Sequence, residues 1–138
     1  YIEIKENLEL NNFIINQLKN STDFTITITN SGNIFEKLSG EIEIKNEFNV
    51  IVATLILPTA EEYIAPNTTV DITVPWLGNK VPSGKYTAKL SASYGFANTP
   101  LKSELSFSAS FNYLFYVGGV MLFILFALAV IMFLKKRK

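Results

Sequence analysis

PSGKYTAKLSASYG, residues 82–95, is the stretch on which the fold turns. Tyr86, Ala88, Leu90, Ala92 and Tyr94 fall on one side of an extended chain, with Thr87, Lys89, Ser91 and Ser93 on the other. A strict period of two with one apolar face is the signature of a half-buried β-strand. Pro82-Ser83-Gly84 ahead of it supplies turn chemistry. Toward the C-terminus, Leu101 to Phe111 repeats the pattern with Leu105, Phe107, Ala109 and Phe111 on one side. Toward the N-terminus, Val70, Ile72 and Val74 alternate between Ala65-Pro66-Asn67 and Pro75, and Leu38, Ile42 and Ile44 alternate with charges through Lys45. Phe24, Ile26 and Ile28 alternate with threonines before the turn residues Asn30-Ser31-Gly32-Asn33; Ile2 and Ile4 alternate with Glu3 and Lys5, and Leu8 to Ile15 is a less regular run. Val50 to Leu57 is apolar almost throughout and ends at Pro58, which predicts a strand covered on both faces. No helical period of comparable length occurs before residue 113. The pattern predicts an all-β, immunoglobulin-like sandwich of seven to eight strands over residues 1–112.

The remainder has a different physical character. YLFYVGGVMLFILFALAVIMFL, residues 113–134, runs for 22 residues without a charge, where a bilayer core needs about 20 at roughly 1.5 Å rise each. This predicts a single transmembrane helix. Lys135, Lys136, Arg137 and Lys138 follow directly, and positive charge next to a span stays on the cytoplasmic side. Residues 135–138 therefore read as a cytoplasmic tail, and the sandwich as an extracytoplasmic domain at the plasma membrane. Tyr113 and Tyr116 stand at the outer end, where amphipathic rings favour the headgroup layer. Gly118 and Gly119 offer a place for a second helix to approach. Only Asn112 separates the last predicted strand from the span, so the domain is expected to lie close to the bilayer. The chain opens with Tyr1, and a cleaved signal peptide upstream is the expectation.

Composition narrows the chemistry. There is neither Cys nor His, which removes thiolate and imidazole nucleophiles, histidine bases and the usual ligands of zinc, copper and haem. Neither G-x-S-x-G nor S-x-x-K occurs. The expectation is a protein that is not an enzyme and carries no cofactor. All 12 acidic residues precede Tyr113, against 8 basic ones in the same part, so residues 1–112 are net −4 and the tail is +4. An acidic domain repels phosphate backbones, and nucleic acid is not an expected partner. A small ectodomain without disulfides suits a bacterial or archaeal surface. Glu61-Glu62 with Asp71 is the only cluster resembling oxygen ligation of Ca²⁺, and it lacks the D-x-D-x-D-G pattern, so no metal is expected.

FTITITNSGNI (Phe24 to Ile34), APNTTVDITVPW (Ala65 to Trp76) and PSGKYTAKLSASYG (Pro82 to Gly95) resemble segments of prokaryotic immunoglobulin-like surface domains. The resemblance makes Tyr86 a tyrosine-corner residue whose hydroxyl bonds nearby backbone, and puts Ala88 where antibody domains carry Cys. With the C-terminal span and basic tail, the chain is also similar to the C-terminal part of WxL-interacting proteins of Gram-positive bacteria. That family implies binding to other surface proteins.

The expected function is an accessory interaction subunit whose sandwich docks on a larger membrane or cell-surface assembly, with other surface proteins and the lipid bilayer as partners. A stand-alone receptor or adhesin for a glycan or peptide, and an envelope or surface-layer anchor, are the alternatives. Trp76, beside Pro75, reads either as a core or sandwich-edge residue or as an exposed anchor for a partner. Asn20 and Asn67 open N-x-S/T sequons outside the predicted span and are candidate glycosylation sites.

Overall fold

A computed structural model of the 138-residue chain describes residues 3–17, 21–57, 63–76 and 81–109, together with position 123. The predicted span, apart from Phe123, and the basic tail lie outside the described residues. Among the described residues no helix is long and apolar enough to cross a membrane.

Among the described residues seven strands form two antiparallel sheets: β1 (Leu8–Gln17), β2 (Thr22–Asn30), β3 (Ser39–Asn46), β4 (Ile51–Ile56), β5 (Thr68–Pro75), β6 (Gly84–Tyr94) and β7 (Thr99–Ala109). One sheet has the order β1-β2-β5, the other β4-β3-β6-β7. Relative to the constant-type immunoglobulin division, in which the fourth strand joins the first sheet, β4 has changed sides and pairs with β3. The stretch Glu3 to Asn7 forms no strand. It lies along the β2–β3 turn, where Ser31 and Asn33 donate backbone N–H to the Asn7 and Lys5 carbonyls.

The central strands are built as their alternation requires. Phe24, Ile26 and Ile28 of β2 have no exposed surface, nor do Ile42 and Ile44 of β3 or Ala88 and Leu90 of β6. Burying each large apolar side chain contributes about 1.5–3 kcal/mol before entropy is set against it. On the outer face of β2 threonines make a polar lattice: Thr27 donates to Asp71 at 2.6 Å, Thr29 to Asn11 at 2.8 Å, and Thr25 accepts from Asn16 at 2.8 Å. Small residues let β3 and β6 approach: a Cβ on Gly40 would come within 2.5 Å of the Ala92 Cα and closer still to the Ser91 carbonyl oxygen.

Asn30, at the end of β2, is the one fully buried polar residue among the large core side chains of the described residues. Its Nδ2 donates to the carbonyls of Ile34 and Ile64, both at 2.8 Å, and its Oδ1 accepts the Gly32 N–H at 2.9 Å. A buried amide with its donors and acceptor met holds two loops together at little desolvation cost.

The sequence reading fails at two runs: the alternation begun by Ile2 and Ile4 forms no strand over its described residues, which line the β2–β3 turn instead, and the second is the apolar run that follows. Val50 to Leu57 is not covered on both faces. β4 is a sheet edge, and Val50, Ile51, Val52 and Ile56 are exposed, while Leu57 is buried. A continuous apolar run has the same appearance whether a second layer covers it or nothing does.

Candidate interaction surface

At one end of the sandwich an aromatic cluster ties the two sheets together. Phe24 stacks with Phe13 at 5.8 Å and with Trp76 at 6.3 Å, and Phe107 meets Phe24 edge-on at 6.0 Å. Trp76 in turn lies edge-on to Tyr86 and Phe107, at 6.0 and 6.2 Å. Trp76 is half-buried and packs on the core, so its ring is already engaged inside the domain. Tyr86 stacks on Phe107 at 5.5 Å, and its hydroxyl donates to the Pro82 carbonyl at 2.9 Å. That bond, four residues back along the chain, is the tyrosine corner implied by the resemblance.

Asn67 sits exposed in the turn before β5 with φ of 58°. Its backbone N–H donates to the Asn30 carbonyl at 2.8 Å, which ties this turn to the end of β2. Asn20, Tyr113, Tyr116, Gly118, Gly119, Lys135, Lys136, Arg137 and Lys138 lie outside the described residues, as do Glu61 and Glu62. Asp71 is engaged with Thr27, and among the described residues no three of His, Cys, Asp and Glu gather as a metal site.

The feature that the sequence reading missed is the β3–β4 hairpin. The Asn46 side-chain oxygen accepts the N–H groups of both Phe48 and Val50 at 3.0 Å, and the Asn46 and Asn49 backbones close the loop against the Val50 and Asn46 carbonyls. Asn49 adopts φ of 64°, a conformation that Asn tolerates better than most residues. This fixed loop holds Phe48 at its tip, 77% exposed. Along β4, Leu57 donates to the Gly40 carbonyl, and hydrogen-bonded pairs alternate in an antiparallel ladder. Leu55 and Ala53 therefore bond toward β3, opposite Ile42 and Ile44, while the N–H and C=O groups of Thr54 and Ile56 point to the open edge. Ile56, opposite Glu41, and Ile51, opposite Lys45, lie on the outer face. An absence of charge across Ile51–Ile56 was the available signal, since a strand with no polar face is either doubly covered or waiting to be covered.

A second feature lies in the β2–β3 connection. Glu36 is buried, its backbone bridged to Ile64 in both directions, and its Oε1 has no hydrogen-bond partner. Burial pushes its carboxyl above the ordinary value, the neighbouring Glu6 carboxylate adds to the rise, and a hydrogen bond from the Gly95 backbone opposes both. Glu6 itself accepts the Phe96 N–H at 2.9 Å, so two carboxylates hold the β6–β7 turn.

The chain has no cysteine, and among the described residues the sandwich leaves the apolar edge of β4 uncovered. The chain belongs to the family described as WxL Interacting Protein, host binding domain, which matches residues 1–112. It is an interaction domain of cell-surface proteins. No curated protein matches it in sequence. Among solved structures, an ApaA protein from Bordetella pertussis is similar at 15% identity over 78% of this chain and 96% of that one, with a TM-score of 0.45. A β-glucosidase 3B from Thermotoga neapolitana, with glucose bound, is similar at 16% identity over 73% of this chain and 16% of that one, with a TM-score of 0.42.

Proposed function

We propose that this chain is a non-catalytic, membrane-anchored interaction subunit of a cell-surface assembly, its immunoglobulin-like sandwich held outside the plasma membrane as the protein-binding module. The family match over residues 1–112 carries this reading, and the family's name points to host proteins as one class of partner. The tyrosine corner at Tyr86 and the two-sheet strand order support the immunoglobulin-like assignment. The uncharged 113–134 segment followed by the 135–138 cationic tail supports the anchor and its direction. The bilayer is then a partner of that segment alone, and the net −4 sandwich engages proteins rather than nucleic acid.

Purification of the full chain from membranes in mild detergent tests the subunit role. The expected result is stoichiometric co-purification with other surface proteins, and a chain that runs alone at every detergent concentration defeats it. Labelling of intact cells tests the topology. Lys45 is expected to react from outside and Lys136 to be protected. The opposite pattern overturns the anchor.

A further inference from the structure

We propose that the outer edge of β4 receives an extended segment of the partner as an added β-strand, and that this segment alternates apolar with basic residues. The inference rests on the protein-binding reading above and names the site and the chemistry of what it takes. Strand addition needs three things: backbone groups free at an edge, side-chain contacts beside them, and a feature that selects one partner over others.

β4 supplies the first two. Among the described residues no strand pairs with its outer side, and the N–H and C=O groups of Thr54 and Ile56 face that side. Ile51, Val52 and Ile56 are exposed along it, and Phe48 extends the apolar strip at the hairpin tip. Natural sheet edges are commonly guarded by an inserted charge, a proline or a covering loop. IVATLI, residues 51–56, holds neither charge nor proline.

Charge supplies the third. The hairpin from Ser39 to Ile56 carries Glu41, Glu43 and Glu47 against Lys45 alone. Lys45 is spent on Glu43, at 3.0 Å, which leaves Glu41 and Glu47 without a cationic partner among the described residues. Glu41 and Glu43 lie on the outer face directly beside Ile56 and Thr54. A strand added to β4 would lie about 10 Å from β3, two strand spacings. A lysine or arginine stem lying across Ile56 brings its charge toward Glu41, the carboxylate of this pair that Lys45 leaves free, while its methylenes cover apolar surface. The same carboxylates disfavour a second copy of this hairpin, which is itself acidic, and an anionic headgroup layer.

The test uses the full chain in detergent micelles and two synthetic probes: a peptide of about ten residues alternating valine with lysine, and its glutamate counterpart. Amide hydrogen exchange is followed by NMR. The expected result is that the lysine peptide slows exchange at Thr54 and Ile56 and the glutamate peptide does not. Thr54→Pro removes an edge donor without touching the ladder to β3, and is expected to weaken lysine-peptide binding about tenfold, the scale of one or two hydrogen bonds. Should Thr54→Pro fail to fold, the double variant Glu41→Lys, Glu43→Lys decides. It is expected to bind the glutamate peptide in preference to the lysine one. Equal binding of both peptides by the unaltered chain, or protection confined to β5 or β7, overturns the proposal. So does protection of Thr54 and Ile56 that appears with protein concentration alone or with phosphatidylcholine vesicles alone. If Thr54→Pro, folded, still co-purifies with surface proteins while peptide binding at β4 is absent, the edge is refuted and the interaction-subunit reading stands.

Discussion

β4 and β7 bound the same sheet, yet they meet solvent in opposite ways. β7 turns Leu101, Leu105, Phe107 and Ala109 toward the core and Lys102, Glu104, Ser106 and Ser108 outward. Glu104 stands opposite Lys89, a favourable cross-strand pairing of charges. At its C-terminal end the Gln17 side chain of β1, in the facing sheet, donates to the Ser108 carbonyl at 3.2 Å. Among the described residues β4 has none of these features. It turns Ala53 and Leu55 inward and leaves Ile51, Val52 and Ile56 in solvent. The lesson is that two edges of one sheet differ in kind: β7 shows solvent an alternating polar face, and β4 shows it an apolar one.

Variants break or sharpen this contrast in graded steps. Leu90→Ala strikes β6, an inner strand on which both edges depend, and a fully buried side chain lost there is expected to cost about 2–5 kcal/mol in chemical denaturation. Both edges should then lose exchange protection together. Phe107→Ala on β7 removes a half-buried ring that touches Phe24, Trp76 and Tyr86. A loss of about 2 kcal/mol is expected, below the full-burial range, and the fluorescence of Trp76 should shift. Tyr86→Phe deletes only the hydroxyl bond to Pro82, and about 1 kcal/mol is expected by the same denaturation assay. Ile56→Lys closes the series. An exposed edge position is expected to change stability by no more than about 0.5 kcal/mol, while light scattering on concentration should fall, because the strand acquires the guarding charge it lacks. A large stability loss for Ile56→Lys, comparable to that of Phe107→Ala, would erase the difference between the two edges.

How far the sequence disclosed this arrangement follows from the same contrast. β2, β6 and β7 were legible because a strand with one dry and one wet face writes its orientation into every second residue. Phe24, Ile26 and Ile28 could not have been core on any other register. The tyrosine corner was legible through resemblance, since Gly84 and Tyr86 fix a local geometry that needs no distant partner. β4 was misread because its residues record only that they are apolar, and the information on what covers them lies in the partner. Glu36 was invisible for a different reason: its backbone pairs with Ile64 and its carboxyl meets the Gly95 backbone, both distant along the chain, and nothing local separates it from the solvated acids nearby. Trp76, left between two readings by the sequence, is placed in the aromatic cluster by contacts from both sheets.

The Glu36 carboxyl gives the joint between the β2–β3 and β6–β7 connections a response to acidity. Folded, it holds its proton more tightly than in the unfolded chain, so its contribution to stability is complete below pH 4.5, the ordinary value, and fades as pH climbs through the raised one. Where Glu36 is ionised its charge faces the Glu6 carboxylate beneath the exposed Phe96 turn, and protonation of Glu36 removes that repulsion. A melting temperature that climbs on gentle acidification in the native chain, with that climb removed in Glu36→Gln, is the expected record. Souring of the medium, which loosens many folds, would draw this corner of the domain tighter.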